Sequence, residues 1–243
     1  ETEDMDANND DDDDNDEDDD DVYSDGDYED EDEDESWKVR RASAKMLSSM
    51  MGAAPEATLT EHYDDIMSKL LSRTRDREPS VQLDVFSVIS DIVVAARKFL
   101  RHDPASPIGA KIRSSLTDVS RIIVRESTSK NPKTQLAAYT LLHSLGEVFP
   151  EILSDIQNAE VRDSLVRTVE RCIGDKACSS TVRIEALAFV CCVCTPRGFD
   201  ALEPFVSELL PHIQTACADK YYKVVAEALR SCAALVEILR REE

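Results

Sequence analysis

Cys191, Cys192 and Cys194 crowd one apolar segment, "ALAFVCCVC" from Ala186 to Cys194, and form a C-x-x-C pair. Cys172 and Cys178 lie a little upstream, and the total of seven cysteines is odd. Thiols at this density invite metal or redox chemistry, but a structural zinc site needs four converging ligands. Here the cluster sits in an apolar run, where Cys replaces Ala or Val as a small buried side chain. His62, His102, His143 and His212 are scattered, without the spacing of a ligand set. The whole chain holds six glycines, so phosphate cradles are scarce, and no nucleophile elbow or paired-carboxylate constellation emerges. The expectation is a protein with no cofactor, no metal, no small-molecule substrate and no enzymatic activity. The odd thiol count fits reduced intracellular cysteines better than a secreted disulfide framework.

With catalysis set aside, the chemistry left to the chain is recognition by charge and surface. The net charge of -23 is concentrated: residues 1–35 hold 24 Asp or Glu and no Lys or Arg. The other 208 residues carry 27 acids against 28 bases, a near-neutral body. The acidic stretch has too few apolar side chains to offset an ordering cost of about 1–2 kcal/mol per residue, and is expected to be a disordered insert or linker. Ser24, in "YSDGDYED", has acids at the following and third following positions, a pattern suited to acidophilic phosphorylation. Immediately after the tract stands a basic cluster, Lys38, Arg40, Arg41 and Lys45. Lys38 and Arg41 are candidate partner-binding residues, whereas Arg40 and Arg183 suit an internal ladder to turn acids such as Asp76, Asp175 or Asp219. Trp37, the single tryptophan, suits core packing better than a binding hot spot. A neutral body without interleaved aromatic and basic residues argues against nucleic acid. The longest unbroken apolar run is far short of the ~20 residues of a membrane span, so no membrane partner is expected. The chain starts with Glu and lacks a signal-peptide pattern, which reads as an internal piece of a longer polypeptide located in cytosol or nucleus.

The elements that hold these residues come from a repeat. "VRRASAKMLSSM" from Val39, "VQLDVFSVISDI" from Val81, "TQLAAYTLLHSL" from Thr134, "VRIEALAFVCCV" from Val182 and "VVAEALRSCAAL" from Val224 align, with starts 42, 53, 48 and 42 residues apart. Apolar or small residues at offsets 0, 4, 8 and 11 share one stripe of a helix. Small side chains at the fifth position (Ser43, Ala138, Ala186, Ala228) allow close helix approach. A second helical pattern precedes each of the last four, within 62–76, 108–127, 161–175 and 202–219, with Pro211 expected to kink the last. No stretch alternates with period two. The fold class is therefore all-α, an α-α superhelix of HEAT/armadillo type over residues 36–243, about four and a half repeats. The helix from Ser36 is then a second helix without its first, with Ser36 as N-cap and Glu33, Asp34 and Glu35 at the positive end of its dipole. Polar positions of the second helices, Asp84, Lys133, Gln135 and Glu185, are further groove candidates.

"YSDGDYEDEDEDESWKVRRASAKML", "HYDDIMSKLLSRTRDREPSVQLDVF", "DKACSSTVRIEALAFV" and "DKYYKVVAEAL" together resemble the cullin-associated, neddylation-dissociated (CAND) family. The likeness covers essentially the whole chain, with Ser36 to Ala44 its most specific part. It implies part of the N-terminal third of a long HEAT solenoid that wraps the unneddylated cullin–RING-box core of ubiquitin ligases. Such a protein exchanges substrate receptors by protein binding alone. Rival readings are a nuclear transport receptor, a structural scaffold such as a phosphatase regulatory subunit, and an acidic histone chaperone.

Overall fold

Proline cannot continue a helix but suits its first position, where the missing N–H has no intrahelical role. Pro55, Pro79, Pro107 and Pro132 all open helices in this way. The computed structural model describes residues 35–103 and 105–242, so the acidic tract as far as Asp34, Ser24 included, lies outside the described residues. The main helices are α1 (Ser36–Ala53), α2 (Pro55–Arg73), α3 (Pro79–His102), α4 (Pro107–Glu126) and α5 (Pro132–Val148). A one-turn α6 (Ile152–Asp155) precedes α7 (Ala159–Gly174) and α8 (Ser180–Val193). A short α9 (Phe199–Leu202) and a 3₁₀ turn (Glu203–Phe205) lead into α10 (Val206–Ala216) and α11 (Tyr222–Glu242). No strand occurs among the described residues.

Consecutive helices pair as α2–α3, α4–α5, α7–α8 and α10–α11, and the pairs stack in two layers. One layer runs α1, α3, α5, α8, α11, each touching the next; the other runs α2, α4, α7, α10. The period-3.6 stripe explains why. Val81, Val85, Ile89 and Ile92 of α3, Ala138, Leu142 and Leu145 of α5, and Val182, Ala186, Val190 and Val193 of α8 are all buried. Each stripe is covered only by the neighbouring pair, so stacking stabilises what a single hairpin cannot. α3 is long and apolar enough to cross a membrane by length and composition, a property the longest-run criterion overlooked. Its apolar side chains are instead spent on this packing, against α1, α2, α4 and α5.

Several sequence expectations need correction here. Ser36 is not the N-cap: Glu35 holds that position, and the Ser36 hydroxyl accepts instead from Arg40 Nη1 at 2.5 Å. Val39 is 68% exposed although Val81, Val182 and Val224 are at most 1% exposed. The reason is positional, since among the described residues no first helix of a pair precedes α1 to cover its stripe. Val39, Ser43 and Leu47 therefore line an open groove of about 440 Å³ with Ile66 and Leu70 of α2. Val182→Ala is expected to cost about 1.5–3 kcal/mol, while Val39→Ala stays within about 0.5 kcal/mol. Urea unfolding midpoints measure both. Two boundaries also moved. α2 begins seven residues before His62, because Pro55 starts the helix rather than breaking the chain. Residues 202–205 are not the start of one long helix: Leu202 ends α9 and Glu203–Phe205 form the 3₁₀ turn, and Pro211 lies inside α10.

Candidate partner-binding face

The turn between first and second helix of each pair is built alike. A short oxygen-bearing side chain accepts the backbone N–H two residues on: Asp76 from Glu78 (3.1 Å), Ser129 from Asn131 (3.3 Å), Asp175 from Ala177 (2.8 Å) and Asp219 from Tyr221 (2.8 Å). Side-chain caps then start the second helices, with Glu78, Asn131 and Ser179 accepting from Ser80, Lys133 and Val182. Such side-chain-to-backbone bonds are the reason Asp, Asn and Ser favour turns and caps.

At two of these turns the acid also binds the previous repeat. Arg40 donates from Nε and Nη2 to Asp76 at 2.8 and 3.1 Å, and Arg183 donates from Nη1 to Asp219 at 2.7 Å. Both pairs are separated by 36 residues, one second helix to the next turn. The expected ladder is therefore present, with Asp175 closing only its own turn. Burial tends to raise the Asp76 carboxyl, but the Arg40 hydrogen bonds, the Glu78 N–H and the charges of Arg40 and Arg73 bring it below its ordinary range. Asp219 is likewise held low, by the Tyr221 N–H and then by Arg183. Where the residue after the first stripe position is Gln, it serves its own turn: Gln82 donates to the Asp76 carbonyl (2.7 Å) and Gln135 to the Ser127 carbonyl (2.9 Å).

This bears directly on the candidate residues. Gln135 is half-buried and commits its amide to that turn. Arg41 and Asp84 are brought together, Nε to Oδ2 at 2.7 Å, joining α1 to α3. Glu185 on α8 meets His143 Nδ1 on α5 at 2.7 Å. Lys38 pairs with Glu35 at 2.5 Å and, like Arg41, lies 5.9 Å from the Trp37 ring centroid. Trp37 is half-buried against the core and flanked by both cations. Lys133 is exposed at the start of α5. Further rungs tie the same layer, Ser48 to Asp91 and Arg97 to Glu147 (2.8 Å). The face of the second-helix layer is thus a row of polar bridges at one-repeat spacing, with exposed cations between.

Sequence reading passed over one constellation. His143, Glu185 and Cys192 lie on two helices, 42 and 49 residues apart in the chain, so no local motif announces them. The available signal was the repeat alignment: Glu185 and Cys192 are seven apart on one helix, and α5 is its stacking neighbour. Neighbouring Cys192, followed by Glu185, raises the His143 imidazole to about 10 despite partial burial. Of the other thiols only Cys172 is buried, 3.4 Å from Cys178, and against the expectation of buried side chains Cys191 and Cys194 are half-buried, with burial raising Cys194 to about 12. Among the described residues no group of three or more His, Cys, Asp or Glu is placed to hold a metal ion.

Fold and face together define an α-helical repeat solenoid, a class that works by presenting an extended surface. Residues 140–243 match the family model described as CAND1-like, TPR repeats. Cullin-associated NEDD8-dissociated protein 1 of Arabidopsis thaliana is 34% identical over 209 residues, and protein 2 of Mus musculus is 30% identical over 218. Each alignment takes in 84% of this chain and 17% of the relative, so the chain spans about a sixth of the length of these curated relatives. A designed armadillo repeat protein superposes over 80% of this chain and 92% of its own, with 13% identity and a TM-score of 0.43. The chain belongs to the family of cullin-associated, NEDD8-dissociated proteins, as a repeat segment.

Proposed function

We propose that this chain is a scaffold segment whose second-helix layer contributes to binding a cullin within a longer assembly factor. The carrying observation is the relationship itself: proteins named as cullin-associated align across the helical body, over 84% of the chain. The polar, bridge-studded face of that layer supports a role in recognition by charge and shape, with no chemistry on the partner required. In this reading the partners are an unneddylated cullin and its RING-box protein, and binding exchanges substrate receptors in the cytosol or nucleus. Residues 1–35 serve as an acidic insert or linker, and residues 36–243 as about four and a half HEAT repeats.

The test uses the full-length protein, immobilised and offered unmodified cullin–RING-box, neddylated cullin–RING-box, Ran-GTP and core histones. Retention of the unmodified cullin in preference to the neddylated form is the expected result. Retention of Ran-GTP or histones without cullin would replace this reading with transport or chaperone function.

A further inference from the structure

Two of the cysteines meet at the turn between α7 and α8. Cys172 is buried in the last turn of α7, and its sulfur lies 3.4 Å from that of Cys178, within hydrogen-bond distance for a pair of thiols. Cys178 is half-buried and outside any helix, one residue before the Ser179 cap of α8. The turn itself sets this meeting. Asp175 accepts the Ala177 N–H at 2.8 Å with its side chain and the Cys178 N–H at 3.1 Å with its carbonyl, which folds the chain back onto the end of α7. A disulfide holds its sulfurs about 2.05 Å apart, so closing the present 3.4 Å takes a shift of about 1.4 Å by a residue carried on a turn. The other close pair, Cys217 and Cys232, starts at 3.9 Å and has Cys232 fixed within α11.

The two thiols are also unequal. Hydrogen bonding with Cys172 holds Cys178 below the ordinary thiol range, against burial and the Asp175 charge. The same contact, and then burial, pushes Cys172 up. The positive end of the α8 dipole stands beside Cys178 and favours its thiolate further.

We propose that Cys178 and Cys172 are a dithiol that hydroperoxides oxidise to a disulfide, Cys178 reacting first and Cys172 resolving it. A partly accessible thiol that ionises readily, poised next to a resolving Cys, is the arrangement of redox-sensing cysteines. Cys178 gives its proton to solvent, and its sulfur bonds one oxygen of the hydroperoxide. The O–O bond breaks, and the leaving oxygen departs with the electron pair and takes up a proton, as water when the reagent is hydrogen peroxide. The Cys172 sulfur then bonds the sulfur of the Cys178 sulfenic acid. The S–O bond breaks, and the departing hydroxide takes the Cys172 proton to become water. Two thiols are oxidised to one disulfide, and one peroxide is reduced. The link ties the end of α7 to the residue before the α8 cap, so oxidation fastens this helix pair at its turn.

The experiment exposes the reduced, folded full chain to hydrogen peroxide, quenches with an alkylating reagent at intervals and reads each cysteine by peptide mass spectrometry. Trypsin cuts after Arg171, Lys176 and Arg183, so the link shows as peptides 172–176 and 177–183 joined, lighter by two hydrogens than their sum. The joined peptides are expected to appear at least about tenfold faster than oxidation of Cys191, and to separate on adding a reductant. Cys172→Ser should stop Cys178 at the sulfenic acid, trapped by dimedone, and Cys178→Ser should slow oxidation of Cys172 at least about tenfold. Cys172 and Cys178 both still alkylated once Cys191 is oxidised, or a Cys217–Cys232 link forming first, would overturn the proposal. Oxidation of Cys172 at the parent rate in Cys178→Ser would overturn the assigned roles.

Discussion

Asp219→Ala is expected to lower the unfolding free energy by about 3 kcal/mol, the low end for leaving a buried charge without its partner. Arg183 is 6% exposed, and its Nε already lacks a hydrogen-bond partner, so the guanidinium depends on Asp219. The same substitution opens the turn at Tyr221 and cuts a bridge from α8 to the next repeat. Asp175→Ala is the internal comparison, because that acid closes an equivalent turn without an arginine bonded to it among the described residues. Its cost should be about 1 kcal/mol, the scale of one lost turn or cap bond. The contrast has a pH signature. Asp219 is held below the ordinary carboxylate range, so the native state takes up its proton later than the unfolded chain as acid is added. Its contribution is present above the unfolded carboxylate value of about 3.9 and is lost as pH falls through the depressed native value. Denaturant unfolding between pH 7 and 2 should show the Asp219→Ala variant converging with the parent only at the acid end.

Leu142→Ala should cost about 2–5 kcal/mol. Leu142 is fully buried on α5, the second helix whose neighbours in its layer are α3 on one side and α8 on the other. Removing its isobutyl group empties space at a contact that two repeats share, and backbone on both sides limits collapse into it. Chemical unfolding measured by circular dichroism checks the value, and a parent-like midpoint would place Leu142 outside the core. The comparison with Val39→Ala makes the same point from the exposed side: one stripe position is structural in the middle of the stack and nearly silent on α1.

Much of this architecture was legible because a helical repeat writes its burial pattern several times. Val81, Val182 and Val224 occupy equivalent positions and are all buried, and Arg40 and Arg183 reach Asp76 and Asp219 across the same 36-residue interval. What failed was local or depended on missing neighbours. The helical pattern placed within 62–76 begins earlier, because Pro55 starts the helix. Ser36 looks like a cap, yet Arg40 takes its hydroxyl. Val39 follows the stripe, but a stripe is buried only where a neighbouring helix lies on it. Among the binding candidates, polarity on a second helix marked Gln135, Asp84 and Glu185 as available, whereas each is committed to a bond within the stack. Polarity along a sequence cannot separate a side chain reserved for a partner from one bridging two repeats, because both need the same atoms at the same helical face. The His143–Glu185 pair escaped for a related reason: its members meet only after one repeat stacks on the next.

Hydrogen exchange followed by mass spectrometry on the folded 243-residue chain reads that stacking directly. A stack in which each helix pair is stabilised by its neighbours should protect α3, α5 and α8 most strongly, with protection falling toward α1 and toward α11. Rapid exchange in α5 and α8 alongside slow exchange in α1 would contradict it, because those central helices would then not be held by the seam they share.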